Sequence, residues 1–406
     1  MRPSLRPVLL LALATLAGGC ALGPDFSRPE VPEPEAFRGA PTGESIANLP
    51  WWDVFGDPVL QELVRTALEE NQDVGIAASR VEEAAAALGF TRAEQFPAFG
   101  IGAGAGRAET SEEVAGIPGT IASDFTVYAN VSWEIDLWGR LRRSTESARA
   151  ELLATEAARE GVTISVVAAV ADLYFQLRDL DSRLEISQRT LASRRDSLDL
   201  IRTRFRGGIV SELDVRQAEI EEATAAAAVP AFERNIVAVE NALSVLLGRP
   251  PGPIPRGAAL DSGRILATAP AGLPAELLNR RPDIREAEER AHAQMARVGI
   301  AEALRLPTLT LTGAAGLESS DLDDLGESGA NFWSIGGNLF GPLFEFGRNV
   351  RRVEVEKART EQAILGYEST VLNAYRDVDD ALAALRTGAA EYDARRRQVE
   401  SARAAA

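Results

Sequence analysis

The sequence predicts a mixed α and β fold, mostly α, in which one unit is written twice. Long coiled helical hairpins accompany four amphipathic β-strands per chain. Three observations carry this reading. First, "QDVGIAASRVEEAAAALGFTRAEQFPAF" at 72–99 aligns without a gap on "PDIREAEERAHAQMARVGIAEALRLPTL" at 282–309. The alignment pairs Asp73 with Asp283, Gly89 with Gly299 and Pro97 with Pro307 at an offset of 210. Further on, "DLWGRLRR" and "FEFGRNVR" pair Gly139 with Gly347 and Arg140 with Arg348 at an offset of 208. Second, short segments alternate apolar and polar residues with a period of two. Third, the stretch from Gly139 to Arg206 has helical composition, no proline and one interior glycine, Gly161.

Each copy opens with a helix. In the first, Asp57 suits the N-cap and Pro58 the first turn, and Leu60, Leu63, Val64, Ala67 and Leu68 form one apolar stripe. Strands follow. In "FPAFGIGAGAG" (96–106), Phe99, Ile101, Ala103 and Ala105 share one face and Gly100, Gly102, Gly104 and Gly106 the other. The spacing does not fit the phosphate-binding fingerprint G-x-G-x-x-G, because Ala105 and Arg107 stand where its third glycine belongs. In "FTVYANVSWEID" the odd positions from Phe125 to Ile135 are apolar and the even positions from Thr126 to Asp136 polar or amphipathic. The second copy repeats the pattern in "TLTLTG" and, more loosely, in "FWSIGGNLF" (332–340).

A single helix over 139–206 would reach about 100 Å, longer than a globular domain allows. Its second half carries a seam of Leu177, Leu184, Leu191, Leu198 and Phe205, a seven-residue period that implies supercoiling against another helix. Gly207 and Gly208 end the helix, and "SELD" restarts one, with Ser211 as N-cap and Asp214 as the acid of a capping box. The result is a helical hairpin with its tip near 205–214.

Composition limits the function. At 406 residues with 46% hydrophobic residues the chain has ample material for a core, and its net charge of -17 with no basic cluster argues against nucleic acid as a partner. The sole histidine, His292, lies in a helical segment and reads as a solvated or packed helix residue. With one histidine and one cysteine, neither a His-based metal cluster nor a multi-cysteine site is available. Carboxylate pairs such as Glu82 and Glu83, or Asp379 and Asp380, read as solvated helix faces. No catalytic residue and no metal ligand is assigned, and an enzyme is not expected.

The start, "MRPSLRPVLLLALATLAGGCALGPDF", has a basic n-region, a ten-residue apolar run too short to span a bilayer, and small residues leading to Cys20. It resembles a bacterial lipoprotein signal, with 1–19 removed and the Cys20 thiol lipidated, although Ala17 stands where leucine is usual. Ala21 after the cysteine fits sorting to the outer membrane.

Alternation alone fits either a soluble sheet with one buried face or a sheet facing lipid. The lipidation signal and the long paired helices favour lipid. Strands in a bilayer must close into a barrel, and four cannot do so alone. Two chains would make a filled eight-stranded barrel, whereas three make twelve strands around water. The apolar positions would then face lipid, and Gly100, Gly102, Gly104 and Gly106 would line an unobstructed lumen.

Several segments in one order resemble the outer-membrane factor family of TolC-like trimeric channels, in its OprM/NodT-type lipoprotein branch. They are "GPDFSRPEVPEPEAF", "WWDVFGDPVLQELV", "WEIDLWGRLRR", "RFRGGIVSELDVRQAE", "ALSVLLGRPPG" and "LPAELLNRRPDIREAE". The resemblance implies a homotrimer: a twelve-stranded transmembrane barrel continued by a helical barrel in the periplasm. It implies the exit duct of a tripartite efflux pump, docked to a periplasmic adaptor and an inner-membrane transporter, with no cofactor beyond lipid on Cys20. It also implies a periplasmic aperture at the helical tips, which places Asp214, Arg216, Glu212, Ser211 and Arg206 there, with Arg204 beside them. Two alternatives are a periplasmic coiled-coil scaffold without a pore and the outer-membrane duct of a type I protein secretion system. The acidic surplus suggests a lumen that favours cations.

The expected organisation is a signal peptide at 1–19, a lipid-anchored extended segment at 20–56, repeat 1 at 57–250, a connector at 251–272 and repeat 2 at 273–406. If the second copy ran the full length of the first, the counterpart of Pro250 would fall about 54 residues beyond Ala406, so the second helical tip is expected to be missing.

Overall fold

The computed structural model describes residues 21–38, 56–109, 121–257 and 274–405. The signal segment, Cys20, the tryptophans of "WWD" and most of the connector lie outside the described residues. The elements in chain order are α1 (Pro58–Glu70), α2 (Gln72–Ala93), β1 (Ala98–Glu109), β2 (Ile121–Ile135), α3 (Arg140–Arg206) and α4 (Glu212–Leu246), then α5 (Pro274–Arg280), α6 (Pro282–Ala303), β3 (Thr308–Ser319), a 3-10 turn at Asp323–Gly326, β4 (Asn331–Phe340) and α7 (Arg348–Ala405). The described parts of Met1–Val31, Val81–Glu156 and Arg285–Thr370 form one compact unit, and those of Pro32–Arg80, Ala157–Ile284 and Val371–Ala406 another. Each unit draws on both sequence repeats. Chain order and spatial grouping therefore differ.

The first unit holds the sheet, a four-stranded antiparallel array in the order β1-β2-β3-β4. An extended strap, residues 21–31, lies against its helices. Leu22 donates its amide to the Trp138 carbonyl (3.1 Å). The buried Arg143 guanidinium donates to the carbonyls of Leu22 (2.9 Å) and Gly23 (3.1 Å) and to Asp25 and Glu146 (both 2.8 Å). Gly23, at φ 90, and Gly299 meet so closely that a Cβ on either would overlap the other segment's backbone. Phe26 stacks on His292 with centroids 4.6 Å apart, and Arg28 pairs with Glu288 at 2.8 Å. His292 is thus a packed residue that binds the strap, with Glu146 at 3.2 Å from its Nε2.

The second unit holds the main core. The stripe read from the sequence faces inward: Leu60, Leu63, Val64 and Ala67 pack with Val166, Val170, Tyr174, Leu177 and Leu180 of α3 and Ile236, Val239 and Leu243 of α4. Fully burying each large aliphatic side chain here stabilises by about 1.5–3 kcal/mol. The Asp57 carboxylate caps α1 by accepting the amides of Val59 (2.9 Å) and Leu60 (3.3 Å). Asn71 separates α1 from α2. Its side-chain oxygen accepts the amides of Asp73 and Val74, and its amide group donates to the Leu246 carbonyl at 2.9 Å.

The hairpin forms as the sequence predicts, with Gly208 at φ 72 and Ile209 donating to the Arg204 carbonyl. The apolar seam fades toward the tip, from a fully buried Leu177 to Phe205 at 43% exposure. Ion pairs flank it there, around a still buried Leu198: Arg194 with Glu221 (2.8 Å), Arg195 with Glu222 (3.0 Å) and Arg202 with Glu219 (3.0 Å) join α3 to the antiparallel α4. Pro230 sits inside α4 without ending it. In α7 the positions 208 residues after Leu177, Leu184 and Leu191 are Leu385, Tyr392 and Val399, and all three are exposed.

Candidate functional site

Two regions carry the chemistry, the sheet in the first unit and the hairpin tip in the second. The register sorts the strands into two unlike faces. On one, Phe99, Ile101, Val127, Val131, Trp133, Leu309, Leu311, Trp333, Ile335 and Leu339 lie in adjacent rows. Several of these are open to the surroundings, with Ile101 at 92%, Ile335 at 83% and Trp333 at 76% exposure. A face this apolar and this uncovered is costly in water and suits hydrocarbon. At one end of the sheet the indole of Trp133 donates to the Gln95 carbonyl (3.0 Å) and that of Trp138 to the Pro307 carbonyl (2.7 Å). Amphipathic indoles with satisfied N–H groups belong where apolar and aqueous phases meet.

The other face carries Asp124, Thr126, Tyr128, Asn130, Ser132 and Glu134 on β2 and Thr308, Thr310 and Thr312 on β3. The four glycines of β1 lie opposite Asn130, Tyr128, Thr126 and Asp124. Three of them are not bare. A Cβ at Gly102 would stand 2.6 Å from the Tyr128 ring, at Gly100 2.8 Å from the Asn130 side chain, and at Gly104 3.0 Å from the Thr126 hydroxyl. Only Gly106 opens onto free space. The glycines make room for the polar side chains of β2 to lie flat across β1, which keeps that face low.

At the tip, Ser211 and Asp214 form the reciprocal cap. The Ser211 hydroxyl (2.7 Å) and amide (2.8 Å) both donate to the Asp214 carboxylate, and the Asp214 amide donates back to the hydroxyl at 3.4 Å. The Ser211 hydroxyl, then its amide, hold the Asp214 carboxyl below the usual carboxylate range. Arg216 donates to Glu212 (3.1 Å) and Glu219 (3.0 Å), and these two raise its pKa further. Glu219 is held low by Arg202 first and Arg216 second. Arg206 donates to the Thr203 hydroxyl (3.2 Å), outside this network.

Four of the tip residues named from the sequence therefore fall into two groups, the Ser211–Asp214 cap and the Glu212–Arg216 pair, and Arg206 belongs to neither. Arg202 and Glu219, which complete the second group, were absent from that set. Their signal was the i, i+3 and i, i+4 spacing of acids around Arg216 together with a basic residue at the mirrored position across the turn. A shallow groove of about 230 Å³ beside Asp214 is bounded by Arg194, Ile201, Gln217 and Glu221. Among the described residues, no group of three or more His, Cys, Asp or Glu side chains is placed to hold a metal ion.

Comparison with known proteins gives a consistent result. The profile of a family described as outer membrane efflux protein matches residues 63–249 and 273–406. The chain is 36% identical over 399 residues to the solvent efflux pump outer membrane protein SrpC of Pseudomonas putida, covering 96% of this chain and 85% of that protein. It is 31% identical over 382 residues to the cation efflux system protein CusC of Escherichia coli, covering 93% and 82%. Among solved structures it matches the open state of the Neisseria gonorrhoeae MtrE outer membrane channel with a TM-score of 0.85 at 32% identity, covering 95% of this chain and 86% of that one.

Proposed function

The chain belongs to the outer membrane efflux protein family, and from that premise we propose how its parts serve the exit duct of a tripartite pump. It is an outer-membrane channel that extends into the periplasm. Three copies contribute four strands each to one barrel, with the apolar rows against lipid and the glycine, Tyr128 and Asn130 rows toward water. The observation that carries this reading is the sheet itself. It is apolar and uncovered on one face, polar on the other, and has β1 and β4 as free edges among the described residues. Free edges cannot persist in hydrocarbon, so the sheet requires further strands of the same kind.

The helical tips form the periplasmic aperture, with the Ser211–Asp214 cap and the Glu212–Arg216–Glu219–Arg202 network holding the hairpin's shape. A periplasmic adaptor grips these hairpins and an inner-membrane transporter supplies the energy, which leaves the channel a passive conduit rather than an enzyme. Lipid on Cys20 anchors the strap to the membrane, and no other cofactor is required. Incorporation of radiolabelled palmitate that is lost in Cys20→Ser tests the anchor. Planar-bilayer recording of the purified protein tests the duct. Discrete conductance steps are expected, and a protein that stays monomeric and leaves the bilayer silent would overturn the reading.

A further inference from the structure

Where the sheet of the first unit gives way to its helices, a groove of about 360 Å³ is lined by Gln95, Arg142, Thr145, Glu146, Arg149 and His292. Trp133 fixes its place in the fold. That indole belongs to the apolar row of β2 and donates to the Gln95 carbonyl at 3.0 Å, so the groove adjoins the end of the face that suits hydrocarbon. An indole at such a boundary marks the level of lipid headgroups. The strap borders the groove as well, because Phe26 stacks on His292.

One wall is a single face of α3. Arg142, Thr145, Glu146 and Arg149 follow one another at helical spacing, and the two arginines stand two turns apart, about 10 Å along the axis. Two long side chains at that separation can close on one anion between them. The other wall is held by Gln95, whose amide group donates to the Thr145 hydroxyl and to the Leu141 carbonyl (3.4 Å). Neither arginine is needed for that bond.

The charges of the lining are unequally matched. Glu146, its one carboxylate, accepts from the Arg143 guanidinium at 2.8 Å and faces His292 Nε2 at 3.2 Å. Arg142 is braced by Asp136, donating to its carboxylate and to its carbonyl (both 3.3 Å), and still keeps 44% of its side chain exposed. Arg149 is exposed and makes no ion pair among the described residues. In a chain of net charge -17, the recess therefore presents an unmatched cation beside an apolar surface.

We propose that this groove binds the headgroup phosphate of an anionic glycerophospholipid from the periplasmic leaflet, one per chain. Arg149 donates charge-assisted hydrogen bonds to the phosphate oxygens, and Arg142 supplies a second positive charge held in place by Asp136. The acyl chains run from the groove along Trp133 and the apolar rows of the sheet. That continuity favours a lipid over a soluble anion: the membrane presents a tethered phosphate at this level, whereas a free phosphate gains nothing from the neighbouring apolar row. The inference rests on the proposed duct, whose strands set the depth of the groove.

Native mass spectrometry of the full-length protein, titrated in detergent with phosphatidylglycerol, counts the lipid retained per chain. The wild type is expected to hold one, and Arg149→Gln to bind it about ten-fold more weakly. Arg149→Lys should recover part of the loss. Arg159→Gln, which removes an exposed charge of α3 outside the groove, should bind as the wild type does. Phosphatidylcholine, with the same phosphate and no net charge, should bind about ten-fold more weakly than phosphatidylglycerol. Inorganic phosphate should not displace the lipid. Equal retention by Arg149→Gln and the wild type, equal binding of the two lipids, or displacement by inorganic phosphate would each overturn the site. Planar-bilayer recording judges the duct separately: a conducting wild type without the lipid preference loses only the headgroup site, and a silent one loses the depth on which that site rests.

Discussion

The Tyr174 hydroxyl donates to the Asp57 carboxylate at 2.6 Å and accepts the Gly257 amide at 3.0 Å. One buried phenol on α3 thus ties the cap of α1 to the connector that leads into the second repeat. Burial, and next the bond to Asp57, push the Tyr174 phenol up from 10.0 to about 12.

Tyr174→Phe leaves the Gly257 amide without its acceptor and the Asp57 Oδ2 without the phenol's proton, while Oδ1 keeps the α1 amides, at a cost of about 1–2 kcal/mol. Urea unfolding of the detergent-solubilised protein measures this as a lower midpoint. The protonated phenol is favoured in the folded state, so its contribution is complete below the ordinary tyrosine value and is lost as pH rises through about 12. Wild-type stability is expected to fall across pH 10–12, and Tyr174→Phe to lose that part of the decline.

Asp214 and Glu219 have the opposite sign. Both carboxyls lie below their usual range in the fold, so what they contribute is present above the ordinary carboxylate values and is lost as pH falls through the depressed ones. The cap and the ion-pair network should hold unchanged at neutral pH and loosen only in acid. Single-channel conductance is expected to be flat through neutrality and to rise in acid, and Asp214→Ala to raise it already at pH 7. Unchanged gating in that variant would count against an aperture role.

Two glycines on the strands that flank β2 should respond differently to alanine. A Cβ at Gly102 meets the far end of the Tyr128 side chain, which swings aside at a cost under about 1 kcal/mol while raising bulk on the polar face. A Cβ at Gly316 would lie 2.2 Å from the Val127 carbonyl oxygen and 2.6 Å from the Tyr128 Cα, backbone atoms that move only if β2 and β3 separate. Gly102→Ala is expected to assemble with reduced conductance. Gly316→Ala should fail to assemble into heat-stable oligomers on gels.

Arg143 on α3 holds the strap through three partners, Leu22, Gly23 and Asp25, with Glu146 of its own helix as the fourth, and its side chain is 5% exposed. Removing the buried guanidinium leaves the Leu22 and Gly23 carbonyls without their donor, so Arg143→Ala is expected to cost about 2 kcal/mol. Chymotrypsin cleavage after Phe26 is the local readout and should accelerate. Gly299→Ala, whose Cβ would stand 2.4 Å from the Leu22 carbonyl oxygen, should produce the same cleavage by pushing the strap away.

Much of the fold was legible because its signals are local. The Asp57 and Ser211 caps, the α1 stripe, the glycine turn at 207–208 and the alternation of β2 each depend on residues within a turn or a strand of one another. The repeat was legible as well, and its offsets reproduce the hairpin registers. The heptad seam predicted the partner helix, and Leu198 stays buried in it, yet the periodicity did not show the ion pairs that flank the seam near the tip. Arg202 and Glu219 stand 17 residues apart, and only the closed turn makes them neighbours.

By itself, the amino-acid sequence determined which segments are strands and helices, which face of each strand is apolar, and that one unit occurs twice. Periodicity and caps are written residue by residue, so no folding is needed to read them. Only the tertiary structure decided that the strap settles on Gly299 and leaves Gly89 open, that Tyr128 and Asn130 lie across the β1 glycines, and that Tyr174 reaches Asp57. Those outcomes join residues far apart in the chain, and the two copies of the repeat reach different ones because packing depends on neighbours that the segment itself does not encode.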